Sequence, residues 1–138
     1  MIETKVDVRY RDCDSMCIVH HAVYMVWYEM ARIDFFEKHG YGYACTHGLG
    51  IDPAMVHLEA NYGAPVRFPE TVTIRTKVTM CEGRKIAFSY EVWQKDAVKP
   101  CATASSFHIW VKDGKSCNLE QEHPEIFEAY RNGMEKAD

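Results

Sequence analysis

Residues 9 to 32 read R-Y-R-D-C-D-S-M-C-I-V-H-H-A-V-Y-M-V-W-Y-E-M-A-R. Asp12 and Asp14 stand where a strand gives way to a turn, and His20 and His21 stand where an apolar helix opens. The first N–H groups of a helix have no partner inside it, and the helix dipole is positive at that end. A carboxylate set against such a helix start is equipped to work on a carbonyl group. It can attack or activate a water, while the N–H groups hold the oxyanion that develops. No other part of the chain combines these elements.

Outward from that stretch the pattern predicts the fold. Residues 4 to 10 alternate, with Val6, Val8 and Tyr10 on one side, which predicts a strand. The spacing predicts a helix over 18–39. Val19, Val23, Val26, Met30 and Ile33 form its apolar stripe, Trp27 and Phe36 widen it, and Glu29, Arg32 and Lys38 lie off it. Gly40 is a stop signal. The stripe is wide enough to predict a largely buried helix. Residues 41–53, with Gly42, Gly48, Gly50 and Pro53, read as a loop. Alternation then predicts strands over 56–62, 72–80, 86–92 and 102–111, punctuated by turns at Glu82-Gly83 and from Asp96 to Pro100 and closed by Asp113-Gly114. Pro124 to Glu135 reads as a short terminal helix. Short turns imply antiparallel neighbours. The prediction is an α+β fold in one domain, residues 1–138: an antiparallel sheet of five to six strands wrapped around one long central helix. Such a sheet leaves an edge unpaired, and a second copy of the chain is a natural cover for it.

Composition excludes several function classes. The chain has 138 residues, 47% hydrophobic and 26% charged, with a net charge of −4. That size supports one domain with a real core. The charge balance argues against general nucleic-acid or anionic-membrane binding. No apolar run is long enough to span a bilayer, and the N-terminus M-I-E-T-K-V-D-V does not read as a signal peptide. The six cysteines form no C-x-x-C pair and read as free thiols of a reducing compartment. The expected location is the cytoplasm.

The pattern D-C-D, then I-V-x-H, then Tyr24, Trp27, Glu29 and Ala31-Arg32 resembles the 4-hydroxybenzoyl-CoA thioesterase family and the short-chain acyl-CoA thioesterases of the Tol-Pal-associated type. The likeness extends more weakly through L-E-A-N-Y-G-A-P-V-R-F-P-E-T-V (58–72) and G-R-K-I-A-F (83–88). It implies a hot-dog fold, and an enzyme that cleaves a small or aromatic acyl-CoA to free acid and CoA without a cofactor. It further implies that Asp14 is the catalytic carboxylate, as nucleophile or general base, and that the backbone N–H of His21 binds the oxyanion. Arg84 and Lys85 would meet CoA phosphates, and Tyr24 would border the acyl pocket. The active site would lie between subunits of a homodimer or homotetramer. Relatives usually carry glycine where Cys17 stands, a position that suits a left-handed backbone or a close ligand.

The plainer readings are these. Asp12 and Asp14 could merely cap a turn, and Arg84 and Lys85 could be a solvated hairpin. Adjacent histidines on a helix diverge by about 100° and grip one ion poorly, and no H-E-x-x-H or cysteine-pair pattern appears, so no metal is expected. There is no G-x-S-x-G, and a Cys17–His21 nucleophile pair rests on spacing alone. Two further functions fit the same fold: a thioesterase acting on acyl-carrier protein, and a non-catalytic acyl-CoA-binding protein.

Overall fold

The computed structural model describes residues 1 to 134. The chain runs β1 (Ile2–Asp7), a 3-10 turn (Tyr10–Asp12), α1 (Val23–Lys38), α2 (Tyr43–Gly48), β2 (Ile51–Tyr62), β3 (Thr71–Glu82), β4 (Lys85–Trp93), β5 (Ala102–Lys112), β6 (Lys115–Ser116), α3 (Leu119–Glu122) and α4 (Pro124–Asn132). The sheet order is β1-β3-β4-β5-β2, every pair antiparallel, with the short β6 on β5. The sheet curls around α1 as the sequence pattern predicts, which is the hot-dog arrangement that the family resemblance implies.

The alternation read from sequence becomes the core. Val72, Ile74 and Val78 of β3, Ile86, Phe88, Tyr90 and Val92 of β4, and Ala102, Ala104 and Trp110 of β5 are all buried. They meet one face of α1, made by Tyr24, Trp27, Tyr28, Ala31 and Phe35. Tyr28 lies 4.7 Å from Tyr90 and Phe35 lies 5.6 Å from Phe88, centroid to centroid. Burying each such ring contributes about 1.5–3 kcal/mol.

The structure corrects several expectations. The helix starts at Val23 and not at residue 18, because residues 18–20 are committed elsewhere: Cys13 pairs with Val19 in a β-bridge, and His20 N–H donates to Asp12 C=O. The buried face of α1 is the aromatic one. Val26, Met30 and Ile33 of the predicted stripe are 56%, 40% and 42% exposed, so the helix is apolar on two faces and this chain buries one. Residues 41–53 are not all loop, since they hold α2 and the start of β2. Pro53 is tolerated there because β2 is an edge strand. The first strand is Ile2–Asp7 and gives way to the 3-10 turn before residue 10. The terminal helix ends at Asn132, and its predicted last residue, Glu135, lies outside the described residues.

Candidate active site

A tight hairpin carries Asp14. Asp14 N–H donates to Ile18 C=O at 2.9 Å, and Cys17 N–H donates back to Asp14 C=O at 3.0 Å. This is a three-residue hairpin loop, a turn followed by one left-handed residue. Cys17 is that residue, with φ of 62°. Glycine takes this conformation without strain, whereas a residue bearing a Cβ loses about 1–2 kcal/mol. The backbone at Cys17 therefore has a form that glycine suits better than cysteine.

The two aspartates of D-C-D are used differently. Asp12 is consumed by structure. Its Oδ2 accepts from Arg9 N–H at 2.8 Å, and its carbonyl holds His20 N–H. Asp14 Oδ1 accepts from Met16 N–H at 2.8 Å, which fixes the side chain. Its second oxygen has no partner among the described residues. Asp14 lines a cavity of about 270 Å³ with Tyr10, Cys13, Cys17, Arg67 and Phe68. Tyr10 and Phe68, both exposed, meet edge to face at 5.9 Å.

The helix start lies beside this hairpin. His21 precedes Val23 by two residues, and nothing among the described residues accepts its N–H. Its carbonyl is held by Tyr62 Oη at 2.9 Å, which ties the helix start to the end of β2. Ala22 N–H donates to His20 Nδ1 at 3.1 Å, so His20 stands in for a capping side chain. The two imidazoles stack at 4.2 Å, both exposed. No group of three metal-ligating side chains occurs among the described residues. Tyr24 is buried against Trp27 and Tyr62, and burial pushes its phenol up to about 12. The residues that line the Asp14 cavity do not include it.

Arg84 and Lys85 sit at the other end of the sheet. Asp7, just before the site, pairs with Thr71 at the start of β3, while Lys85 pairs with Glu82 at its end. The eleven steps between span roughly 36 Å at strand rise. Arg84 donates to Ser116 Oγ at 2.9 Å and Lys85 Nζ lies 5.9 Å from the Phe107 ring. Within one chain neither approaches Asp14.

A second polar cluster, absent from the sequence reading, lies within the sheet. Tyr90 Oη and Ser106 Oγ bond at 2.5 Å, Ser106 Oγ and His108 Nε2 at 2.9 Å, and His108 Nδ1 and Pro53 C=O at 3.2 Å. Arg32 donates to Tyr90 Oη at 3.1 Å. A carbonyl can only accept, so the proton is on Nδ1, Nε2 accepts from Ser106, and Ser106 accepts from Tyr90. Every direction in the chain is fixed. His108 is 1% exposed, and burial together with the nearby Arg32 cation pulls it down to about 4. The Arg32 end opens on a cavity of about 310 Å³ shared with Glu29, Asp52, Phe36 and Trp110.

Comparison with known proteins identifies the family to which this fold belongs. The family model for the thioesterase-like superfamily matches residues 8–129. YneP of Bacillus subtilis, which carries a provisional acyl-CoA thioesterase name, is 28% identical over 128 residues, covering 91% of this chain and 92% of its own. Among solved structures, a DHNA-CoA thioesterase from Staphylococcus aureus superposes with a TM-score of 0.88 at 29% identity, covering 94% of this chain and 88% of that one. The hypothetical protein TT1821 from Thermus thermophilus gives 0.88 at 30%, covering 95% and 98%. With the fold and the match over nearly its whole length in agreement, the chain belongs to the thioesterase-like superfamily.

Proposed function

We propose that the protein is an acyl-CoA thioesterase that converts a small or aromatic acyl-CoA to the free acid and CoA. The observation that carries this reading is the pairing of a half-buried carboxylate, one oxygen unclaimed, with an unclaimed N–H at the adjacent helix start. The thioester carbonyl would accept from His21 N–H, which stabilises the tetrahedral oxyanion. Asp14 then serves by either of two routes. As a base it takes a proton from the attacking water. As a nucleophile it forms a mixed anhydride that water opens. In both, CoA leaves as thiolate and is protonated. The DHNA-CoA activity named for the Staphylococcus aureus relative supports an aromatic acyl group.

The same reading makes the enzyme at least a dimer and favours a tetramer. Among the described residues of one chain the outer edge of β2 is unpaired, Met55 and Val56 on it are exposed, and α1 leaves Val26, Met30 and Ile33 open. Pairing β2 with its own copy in antiparallel fashion would bring the Ile51 end of one chain beside the Tyr62 end of the other. Arg84 and Lys85 of one subunit would then flank the Asp14 hairpin of its partner, where CoA phosphates could reach them. Six free thiols fit a cytosolic enzyme.

A panel of aromatic and short aliphatic acyl-CoAs, followed by free-thiol release, tests the activity. A parallel panel of acyl-carrier proteins tests the rival substrate. Hydrolysis of at least one acyl-CoA is expected, and none across the panel refutes the reading. Light scattering at micromolar concentration checks the assembly, which a fully active monomer would overturn.

A further inference from the structure

The carboxylate cavity has two thiols in its wall that hydrolysis does not use. Cys13 and Cys17 both line it with Asp14, and Cys17 is exposed. The other cysteines divide cleanly. Cys101 and Cys117 are buried, and burial pushes the thiols of Cys81 and Cys117 up to about 11, far from the thiolate form that reacts. Cys45 is exposed but lies on α2, next to the Ile51 end of β2, away from the hairpin. In an acyl-CoA thioester the sulfur is bonded directly to the carbonyl carbon. Any pose that brings the carbonyl to Asp14 therefore brings the CoA sulfur into the cavity walled by Cys13 and Cys17.

We propose that this thiol pair is a covalent capture site for coenzyme A disulfide, the oxidised dimer of the product thiol. The proposal rests on the thioesterase reading, since it uses the CoA-binding surface to deliver the sulfur. The Cys17 thiolate attacks one sulfur of the disulfide and a Cys17–S–S–CoA bond forms. The second CoA leaves as thiolate and takes up a proton. The exchange conserves oxidation state overall, because the incoming disulfide is the oxidant. Holding CoA in place raises the effective concentration of its sulfur at Cys17 far above that of a free disulfide. The adduct fills the space where the thioester must meet Asp14, so the enzyme is shut until a reducing thiol removes it. Cys13 lines the same cavity, so displacement of the bound CoA by its thiol, leaving a Cys13–Cys17 disulfide, is the second product that the test reads.

The test treats the purified, fully reduced protein with coenzyme A disulfide or with oxidised glutathione. Intact mass, peptide mapping and activity are followed together. The expected result is one CoA adduct on Cys17, or a Cys13–Cys17 disulfide formed through it, with activity falling about tenfold or more and returning on reduction. Coenzyme A disulfide should act at least about tenfold faster than oxidised glutathione. Cys17→Gly, which suits the left-handed backbone, should take no adduct and lose no further activity, while Cys45→Ser should behave as wild type. An adduct on Cys45 alone, equal rates with both disulfides, or no reaction in the cavity overturns the proposal. Hydrolysis without capture sinks this inference and leaves the thioesterase reading standing. Selective capture without hydrolysis of any acyl-CoA does the reverse.

Discussion

The Asp14 hairpin and the Tyr90–Ser106–His108 chain are both small polar clusters within one sheet-and-helix body, and they spend their hydrogen bonds in opposite ways. In the buried chain each group is matched from Arg32 through to Pro53 C=O, and both nitrogens of His108 are in use. Low surrounding dielectric makes such a network strong when complete and costly when broken. At the hairpin, backbone bonds fix the loop, yet one Asp14 oxygen and the His21 N–H remain unspent among the described residues. Polarity that is used up holds the fold together. Polarity that is held rigid but left open is available to a substrate.

The sharpest way to break this contrast is at Asp14. Asp14→Asn should lower kcat by about 100-fold or more, with thermal stability within about 0.5 kcal/mol of wild type. Asp12→Asn should act mainly on stability, through the turn it closes. Near-normal turnover in Asp14→Asn would dissolve the distinction.

The buried chain should respond in the other currency. Ser106→Ala leaves the Tyr90 hydroxyl and His108 Nε2 without each other's bridge, a loss of about 1–3 kcal/mol, readable by denaturant melts while kcat at room temperature holds. Acid should find the same weakness. His108 is pulled down to about 4 in the folded chain, while the unfolded chain takes up its proton near the ordinary value of about 6.5. Between those values the unfolded state holds more protons, so stability falls as pH drops through that window. Melting temperatures from pH 7 to 4.5 should drop more steeply for wild type than for His108→Asn. Parallel slopes would remove His108 from the account.

Two smaller effects refine the picture. Replacing Arg84 and Lys85 together by Ala should raise KM for acyl-CoA by about tenfold with kcat little changed, and should leave acyl-pantetheine almost untouched. Equal losses on both substrates would sever that end of the sheet from CoA. Cys17→Gly should change stability by about 1 kcal/mol or less, because relief of the left-handed strain is offset by the greater freedom of glycine in the unfolded chain. A large loss on unfolding would mean that the thiol, and not the backbone form, matters there.

The sequence made the Asp14 turn and the strands legible because both depend on local pattern. Alternation at Val72, Ile74, Val78 and at Phe88, Tyr90, Val92 matches the buried positions. Of the two reasons the sequence offered for a glycine at position 17, a left-handed backbone or a close ligand, the structure shows the first, since Cys17 has φ of 62°. What failed depends on contacts between distant residues. Residues 18–20 have helical periodicity, but the Cys13–Val19 bridge claims them. Periodicity cannot rank two apolar faces of one helix, so it points to the aliphatic side of α1 where the structure buries the aromatic side. The distance between Arg84 and Asp14 depends on strand register. The Ser106–His108 pair did leave a sign: both fall on the inward parity of β5, between Ala104 and Trp110, where a polar residue needs a partner.

The place of β2 has a consequence for how the chain is made. Although β2 precedes β3 and β4 in sequence, its partner is β5, with Tyr62 opposite Ala102 and Ile51 opposite Lys112. Emerging from the ribosome, the first half of the protein has no strand for β2 to pair with until residues near 112 have been added. During that interval β2 stands without its partner, and the aliphatic face of α1, with Val26, Met30 and Ile33, lies uncovered. Long-range strand pairing of this kind is slow and leaves nascent chains prone to sticking together. The sheet therefore closes last at the strand whose outer edge is still open, so the final step of folding also prepares the surface on which two chains could meet.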